Sequence, residues 1–206
     1  TDCYVPAPNT NYCHVNLIWY KANGDTLFTR KFASSNWISG PTLYRYDQDI
    51  YLCGSIYTNA QIGQEIFVAK IGSDGTIKWE KSFGDPGVAE WGYSINRAGD
   101  KGVIVGALSD LVGLNGPNIT QGYTSLFRLD SNGNKLWKRK LWENKFSYIH
   151  TIREGANGSY YISGTADTVI QADDAQINGV LAKVDSGGGI IWRIFFNDIP
   201  NATKGM

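Results

Sequence analysis

Apolar and polar residues alternate along this chain in short runs, each broken by a cluster of Gly, Asp, Asn or Ser. The segment VAKI-GSDG-TIKWEKSF sets two alternating runs around a four-residue turn containing Gly75, the pattern of a β-hairpin. The segment GYSINRAGDKGVIVGAL does the same around Ala98, Gly99 and Asp100. Apolar residues at helical spacing are absent, so the pattern predicts strands throughout.

The hairpins recur. KIGSDGTIKWEKSF from Lys70, RLDSNGNKLWKRKL from Arg128 and KVDSGGGIIWRIFF from Lys183 align without gaps, and YKANGDTLFTRKF from Tyr20 is a weaker fourth. In each, a glycine (Gly24, Gly75, Gly133, Gly188) stands four residues before an aromatic (Phe28, Trp79, Trp137, Trp192), and those aromatics are 51, 58 and 55 residues apart. DIYLCGS, KGVIVGA and GSYYISG supply a second anchor at Gly54, Gly106 and Gly164, spaced 52 and 58 residues apart. Two anchors in different parts of the unit keep the same step. Each unit then holds four short antiparallel strands, the arithmetic of a β-propeller blade.

Composition fits an all-β chain. The 206 residues include 24 Gly, 7 Trp, 12 Tyr and 8 Phe, with 18% charged residues; aromatics suit half-buried strands and glycines suit turns. Lys plus Arg and Asp plus Glu are both 19, so the basic excess expected of a nucleic-acid binder is missing. No run approaches the roughly 20 apolar residues of a membrane-spanning helix, and membrane insertion is not expected. A first residue other than Met, a single Met and few charges point to an exported chain, secreted or at the cell surface, or to a piece of a longer polypeptide. Of three cysteines, Cys3 and Cys13 could pair across a short loop and leave Cys53 alone, or all three could stay reduced.

The segment FGDPGVAEWGYSINRAGDKGVIVGALS resembles the secreted bacterial propeller repeat known as the SBBP repeat, and LFRLDSNGNKLW resembles the D-x-x-G-x-x-x-W signature of quinoprotein-like propellers. The resemblance covers residues 15–196. It implies strands A to D in each blade, with the GYSI-type segment as innermost strand A and the D-x-x-G turn joining C to D. In that register blades span 41–83, 91–141 and 147–196. Residues 15–32 give only a C–D hairpin, 1–14 are an extension or linker, and 197–206 begin a connection to a further blade. About three and a half blades are expected, as part of a larger propeller.

Few residues suggest chemistry. His14 and His150 stand beside no recognisable nucleophile or carboxylate motif, and no metal-ligand spacing or cofactor cluster is present, so neither a cofactor nor a metal is expected. His150 reads as a strand or channel-facing residue. Asp130 and Asp185 lie three residues before Gly133 and Gly188, the wrong register for a sialidase-type Asp box, and are expected to cap their own turns. The repeated aromatics are expected to pack between sheets, with Trp79, Trp137 and Trp192 in equivalent buried sites. Loops B–C (57–65, 108–122, 166–179) and D–A (33–40, 84–90, 142–146) should emerge on one face, and they alone vary in length. Candidate binding residues there are Trp37, Trp91 and Trp142, Asn115 and Asn118, and Asp173 and Asp174. Asn118, Asn157 and Asn201 open glycosylation sequons. The sequence therefore leads to a non-enzymatic scaffold or recognition module for a protein or glycan, with assembly with other chains left open. Two rivals remain: a segment of a polysaccharide-active propeller enzyme whose catalytic residues lie elsewhere, and a structural repeat of a surface filament or adhesin.

Overall fold

The computed structural model of the chain describes residues 2–4, 12–32, 38–59, 63–85, 88–112, 121–143, 148–167 and 177–196. Within them the chain is all-β, apart from one 3₁₀ turn at Ala156–Gly158. The strands are β1 (Asp2–Tyr4), β2 (Tyr12–Tyr20), β3 (Thr26–Phe32), β4 (Ile38–Tyr46), β5 (Asp49–Asn59), β6 (Gly63–Gly72), β7 (Ile77–Phe83), β8 (Ala89–Ala98), β9 (Gly102–Val112), β10 (Gln121–Leu129), β11 (Lys135–Glu143), β12 (Tyr148–Glu154), β13 (Tyr160–Asp167), β14 (Ile177–Val184) and β15 (Ile190–Phe195). They form a three-stranded sheet β1-β2-β3, followed by three four-stranded antiparallel meanders, β4-β5-β6-β7, β8-β9-β10-β11 and β12-β13-β14-β15. These four sheets, numbered in chain order, are blade-like, and among the described residues they form no closed ring. The first sheet departs from the expected C–D hairpin. Residues 2–4, expected to be part of an extension, pair with β2 in the register Asp2 to His14, Cys3 to Cys13 and Tyr4 to Tyr12, which puts β1 where strand B would lie.

Each pair of neighbouring sheets shares one apolar layer. Val15, Leu17 and Phe32 of the first sheet pack with Leu52, Phe67 and Ile71 of the second. Tyr51, Cys53 and Val68 of the second pack with Val103, Val105 and Phe127 of the third. Ile104, Leu126 and Leu141 of the third pack with Ile149, Ile162 and Val180 of the fourth. Residues of one parity along a strand face one neighbouring sheet and the other parity faces the next. This explains why central strands such as VIVGAL are apolar without interruption. The inner strands are also joined by polar bonds: the Asn96 side chain, 2% exposed, donates to the Ile152 carbonyl at 2.5 Å, and the Thr42 hydroxyl donates to the Tyr93 carbonyl at 2.9 Å.

Both sequence anchors have a structural cause. The B-strand glycine lies opposite a β-bulge in the A strand: the irregularities fall between Ser39 and Thr42, Gly92 and Ser94, and Ile149 and Thr151, beside Gly54, Gly106 and Gly164. A bulge crowds its partner strand, and a Cβ on Gly164 would collide with the Tyr148 carbonyl oxygen. The D-strand aromatic marks a second bulge. Trp19, Lys70, Arg128 and Lys183 pair with Phe28, Trp79, Trp137 and Trp192, and the ladder slips by one residue immediately afterwards in every sheet.

Candidate functional site

The C–D turns are built alike in all four sheets. The backbone N–H of Lys21, Gly72, Asp130 and Asp185 donates to the carbonyl four residues on, and the N–H of Gly24, Gly75, Gly133 and Gly188 donates to the carbonyl three residues back. The four glycines have φ of +90°, +80°, +80° and +83°, a region that disfavours any side chain. As expected from the sequence, Asp130 Oδ1 accepts from the N–H of Asn132 and Asn134 at 2.9 and 2.8 Å, and Asp185 Oδ1 accepts from Gly187 and Gly189 at 2.9 and 2.8 Å. Those bonds, led by the contacts from Asn134, hold the Asp130 pKa below the usual carboxylate value. These aspartates are turn caps.

The repeated aromatics pack onto these turns, one sheet ahead. Phe28 covers Gly75, Trp79 covers Gly133 and Trp137 covers Gly188. Trp79 Nε1 also donates to the Ser131 carbonyl at 3.0 Å, and Arg30 and Arg139 reach the carbonyls of Gly75 and Gly187 at 3.0 Å each. Phe28, Trp79 and Trp137 are half-buried. Trp192 departs from the expectation of equivalent burial: it is 36% exposed, and among the described residues no turn lies over it as the Gly188 turn lies over Trp137.

The opposite end of the sheets carries the long connections, and there a charged cluster lies in the seam between the second and third sheets. Lys138 Nζ is 2.7 Å from Glu90 Oε1, 3.6 Å from Asp110 Oδ1 and 3.7 Å from Asp85 Oδ2. It also sits 5.4 Å from the Tyr123 ring centre and 5.1 Å from that of Phe127, cation–π geometry. Asp85 is open to solvent and Asp110 partly so, whereas the Glu90 side chain is 1% exposed. Burial raises the Glu90 pKa ahead of the opposing bond from Lys138. At Lys138 desolvation pulls the other way but is outweighed by Glu90 and Tyr123 together, so its pKa is also raised and the ammonium stays charged. The carboxylates are close enough together to hold a metal ion; the Lys138 ammonium supplies the positive charge at their centre. Glu90 Oε2 is buried and finds no hydrogen-bond partner among the described residues.

On the other face of β8, toward β12, the inner strands carry a row of rings. Trp91 meets Tyr93 edge-on at 6.4 Å, Tyr93 meets Tyr148 edge-on at 4.9 Å, and Tyr148 lies 6.5 Å from His150. Burial raises the Tyr93 pKa, with Tyr148 adding to it. His150 is exposed on β12. Of the residues selected from sequence, Trp91 is half-buried at this end, with an indole N–H that is buried and unpartnered. Trp142, expected to present its ring, is instead 5% exposed within the layer between the third and fourth sheets, since its strand turns that face toward Ile149 and Ala166. Trp37, Asn115, Asn118, Asp173 and Asp174 lie outside the described residues, as do the side chains of Cys3, Cys13 and His14. Cys53 is a free, buried thiol whose pKa burial pushes up to about 12.

Sequence reasoning missed Glu90, Asp110, Asp85, Tyr123 and Lys138 as individual residues. The first four fall within or next to connections 84–90 and 108–122, which length variation had selected. Lys138 gave no signal, being one of several cations on a strand that reads as solvated. No protein-family model matches the chain, and no curated protein shows significant similarity to it.

Proposed function

We propose that this chain is a β-propeller module of a secreted or cell-surface protein, related to the SBBP and quinoprotein-like repeats, that recognises a glycan at its loop-bearing end. The observation that carries the reading is the Lys138 ammonium held between carboxylates and the Tyr123 and Phe127 rings at that end. Partly exposed carboxylates and an ammonium exchange hydrogen bonds with hydroxyls, while Trp and Tyr rings offer apolar faces; ligand sites combine a few placed polar groups with aromatic walls in this way. The fixed turns at the other end act as scaffold, and binding residues belong on loops held by such a scaffold.

The enzyme reading has one observation in its favour, the raised pKa of Glu90 beside two further carboxyls, an arrangement that suits a general acid. Access decides against it. Glu90 is 1% exposed and its Oε1 is tied to Lys138, so a substrate oxygen would have to displace the ion pair to reach it. Asp110 and Tyr123, by contrast, are partly exposed.

The reading is tested by screening the chain against immobilised polysaccharides and cell-surface glycoproteins, then repeating with Asp110→Asn and Tyr123→Ala. Each should weaken binding about tenfold, the loss of one hydrogen bond to a charged group or one stacked ring. Asp130→Asn, at the turn end, should leave binding unchanged. Binding lost in Asp130→Asn but retained in the other two would place the site on the wrong end.

A further inference from the structure

The contact that joins the sheets is made three times within the chain, and both halves of a fourth are left unmade at opposite ends. In the second and fourth sheets the forward half is an aromatic pair. In the second sheet, Tyr51 and Trp79 flank Lys70 on adjacent strands with ring centres 6.2 Å apart at 61°, and the third sheet covers them, leaving Tyr51 1% exposed. In the fourth sheet Tyr161 and Trp192 flank Lys183 in the same register, 6.2 Å apart at 56°, yet are 40% and 36% exposed. The receiving half is the C–D turn with two C-strand residues. In the third sheet it is Gly133, under Trp79, with Phe127 and Leu129 at 2% and 0% exposure. Their counterparts in the first sheet are Gly24, which has nothing within 4 Å of where a Cβ would stand, and Ile18 and Tyr20, at 43% and 61% exposure.

We infer that Trp192 of one copy of this chain packs onto the Gly24 turn of a second copy, joining them head to tail. The occupant is a second copy because this chain carries both complementary surfaces, and each continues an interface already formed inside it. The turn geometry is already in place: φ at Gly24 is +90°, beside +80° at Gly75 and Gly133. The Ala22 carbonyl holds the position at which the Ser131 carbonyl accepts from Trp79, ready to accept from the Trp192 indole. A head-to-tail contact uses two different surfaces, so it closes into a ring or runs on as a filament. Two copies with two such contacts would place eight sheets in one ring, within the four to eight blades of propellers. The inference does not depend on ligand recognition, which the loop-bearing end performs in either state.

The test is sedimentation velocity of the full chain across a concentration series, with Trp192→Ala, Gly24→Asn and their equimolar mixture. Asn tolerates positive φ better than other side chains, and at Gly24 it would fill the space the incoming ring needs. Wild type should assemble into dimers or longer species, and each variant should weaken assembly about 30-fold, as removal of a buried interface tryptophan does. Far-ultraviolet circular dichroism should show each variant folded. The mixture should regain assembly, since every mixed pair restores one intact contact, which a misfolded variant could not do. A wild-type chain that stays monomeric up to about 100 µM, beyond the micromolar range of ordinary interfaces, would overturn the inference. So would variants that assemble as well as wild type, or a mixture that stays as monomeric as its components.

Discussion

Gly133→Ala probes the contact that spaces the sheets, and Gly24→Ala serves as its internal control. Both glycines sit at strongly positive φ, +80° and +90°, so an alanine at either pays left-handed strain of about 1–2 kcal/mol. Only at Gly133 does the new methyl meet anything: it would stand 2.9 Å from Trp79 Cε3 and 3.0 Å from Cδ2 and Cζ3. The ring must retreat by several tenths of an ångström. That forfeits part of its dispersion contact and stretches the indole bond to the Ser131 carbonyl, now 3.0 Å, at a combined cost of about 1–3 kcal/mol.

Gly133→Ala should therefore destabilise by about 2–5 kcal/mol and Gly24→Ala by only about 1–2 kcal/mol. The assay is urea unfolding followed by circular dichroism and tryptophan fluorescence, at a protein concentration low enough to keep copies apart. Trp79→Leu in the Gly133→Ala background should recover part of the loss, because the smaller side chain leaves room for the methyl; the double-mutant cycle measures that coupling. Equal destabilisation at both glycines, with no coupling to Trp79, would mean that turn conformation alone explains the repeat and that ring-on-turn packing contributes nothing.

Two further outcomes concern charge. Lys138→Met should destabilise by about 3 kcal/mol or more at neutral pH, since it strands Glu90 in a buried site beside Asp85 and Asp110. A Glu90 pKa raised above its unfolded value stabilises the fold only in the protonated form, so the Lys138→Met loss should shrink as pH falls from 7 toward 4.5; a pH-independent loss would refute the pairing. Asp100 runs in the opposite sense: desolvation alone would raise its pKa, but the bond from Arg128, which is 6% exposed, and the Gly102 N–H outweigh it and lower it. Its contribution is complete above the unfolded value near 3.8 and is lost as pH falls through the depressed folded value, so acid should destabilise wild type more than Asp100→Asn over pH 5 to 2.

What could be read from the sequence was whatever repeats. Gly133 and Trp137 recur at fixed spacing because each turn must receive the ring behind it, and Gly106 and Gly164 recur because each A-strand bulge crowds its neighbour. Such constraints act within a few residues and return in every sheet, so they stand above the background. Partner choice at the joint could not be read. That the ring covering Gly133 is Trp79, 54 residues earlier, follows from the stacking of sheets and not from any local pattern. The same limit explains the error at Trp192: its motif is complete, but burial depends on the next sheet, which the motif does not contain.

The Lys138 cluster was hidden for a related reason, and it clarifies how the two ends of each sheet divide their tasks. Asp85 follows β7, Glu90 lies near the start of β8, Asp110 near the end of β9 and Tyr123 near the start of β10, while Lys138 reaches them from β11; five segments contribute one residue each, so no spacing within any of them marks the site. The ring-on-turn contacts, by contrast, lie at the tight-turn end, where glycine conformation, with the Asp130 and Asp185 caps in two of the turns, fixes the geometry within five residues. Sheet spacing is thus set without the long connections, and those connections can change length without disturbing a joint. The charge pairing adds one restriction: Glu90 is buried in the seam and needs Lys138 from the outermost strand of its own sheet. Of the loop-bearing end, then, the outer connections are free to vary while this buried pair ties them to the fold.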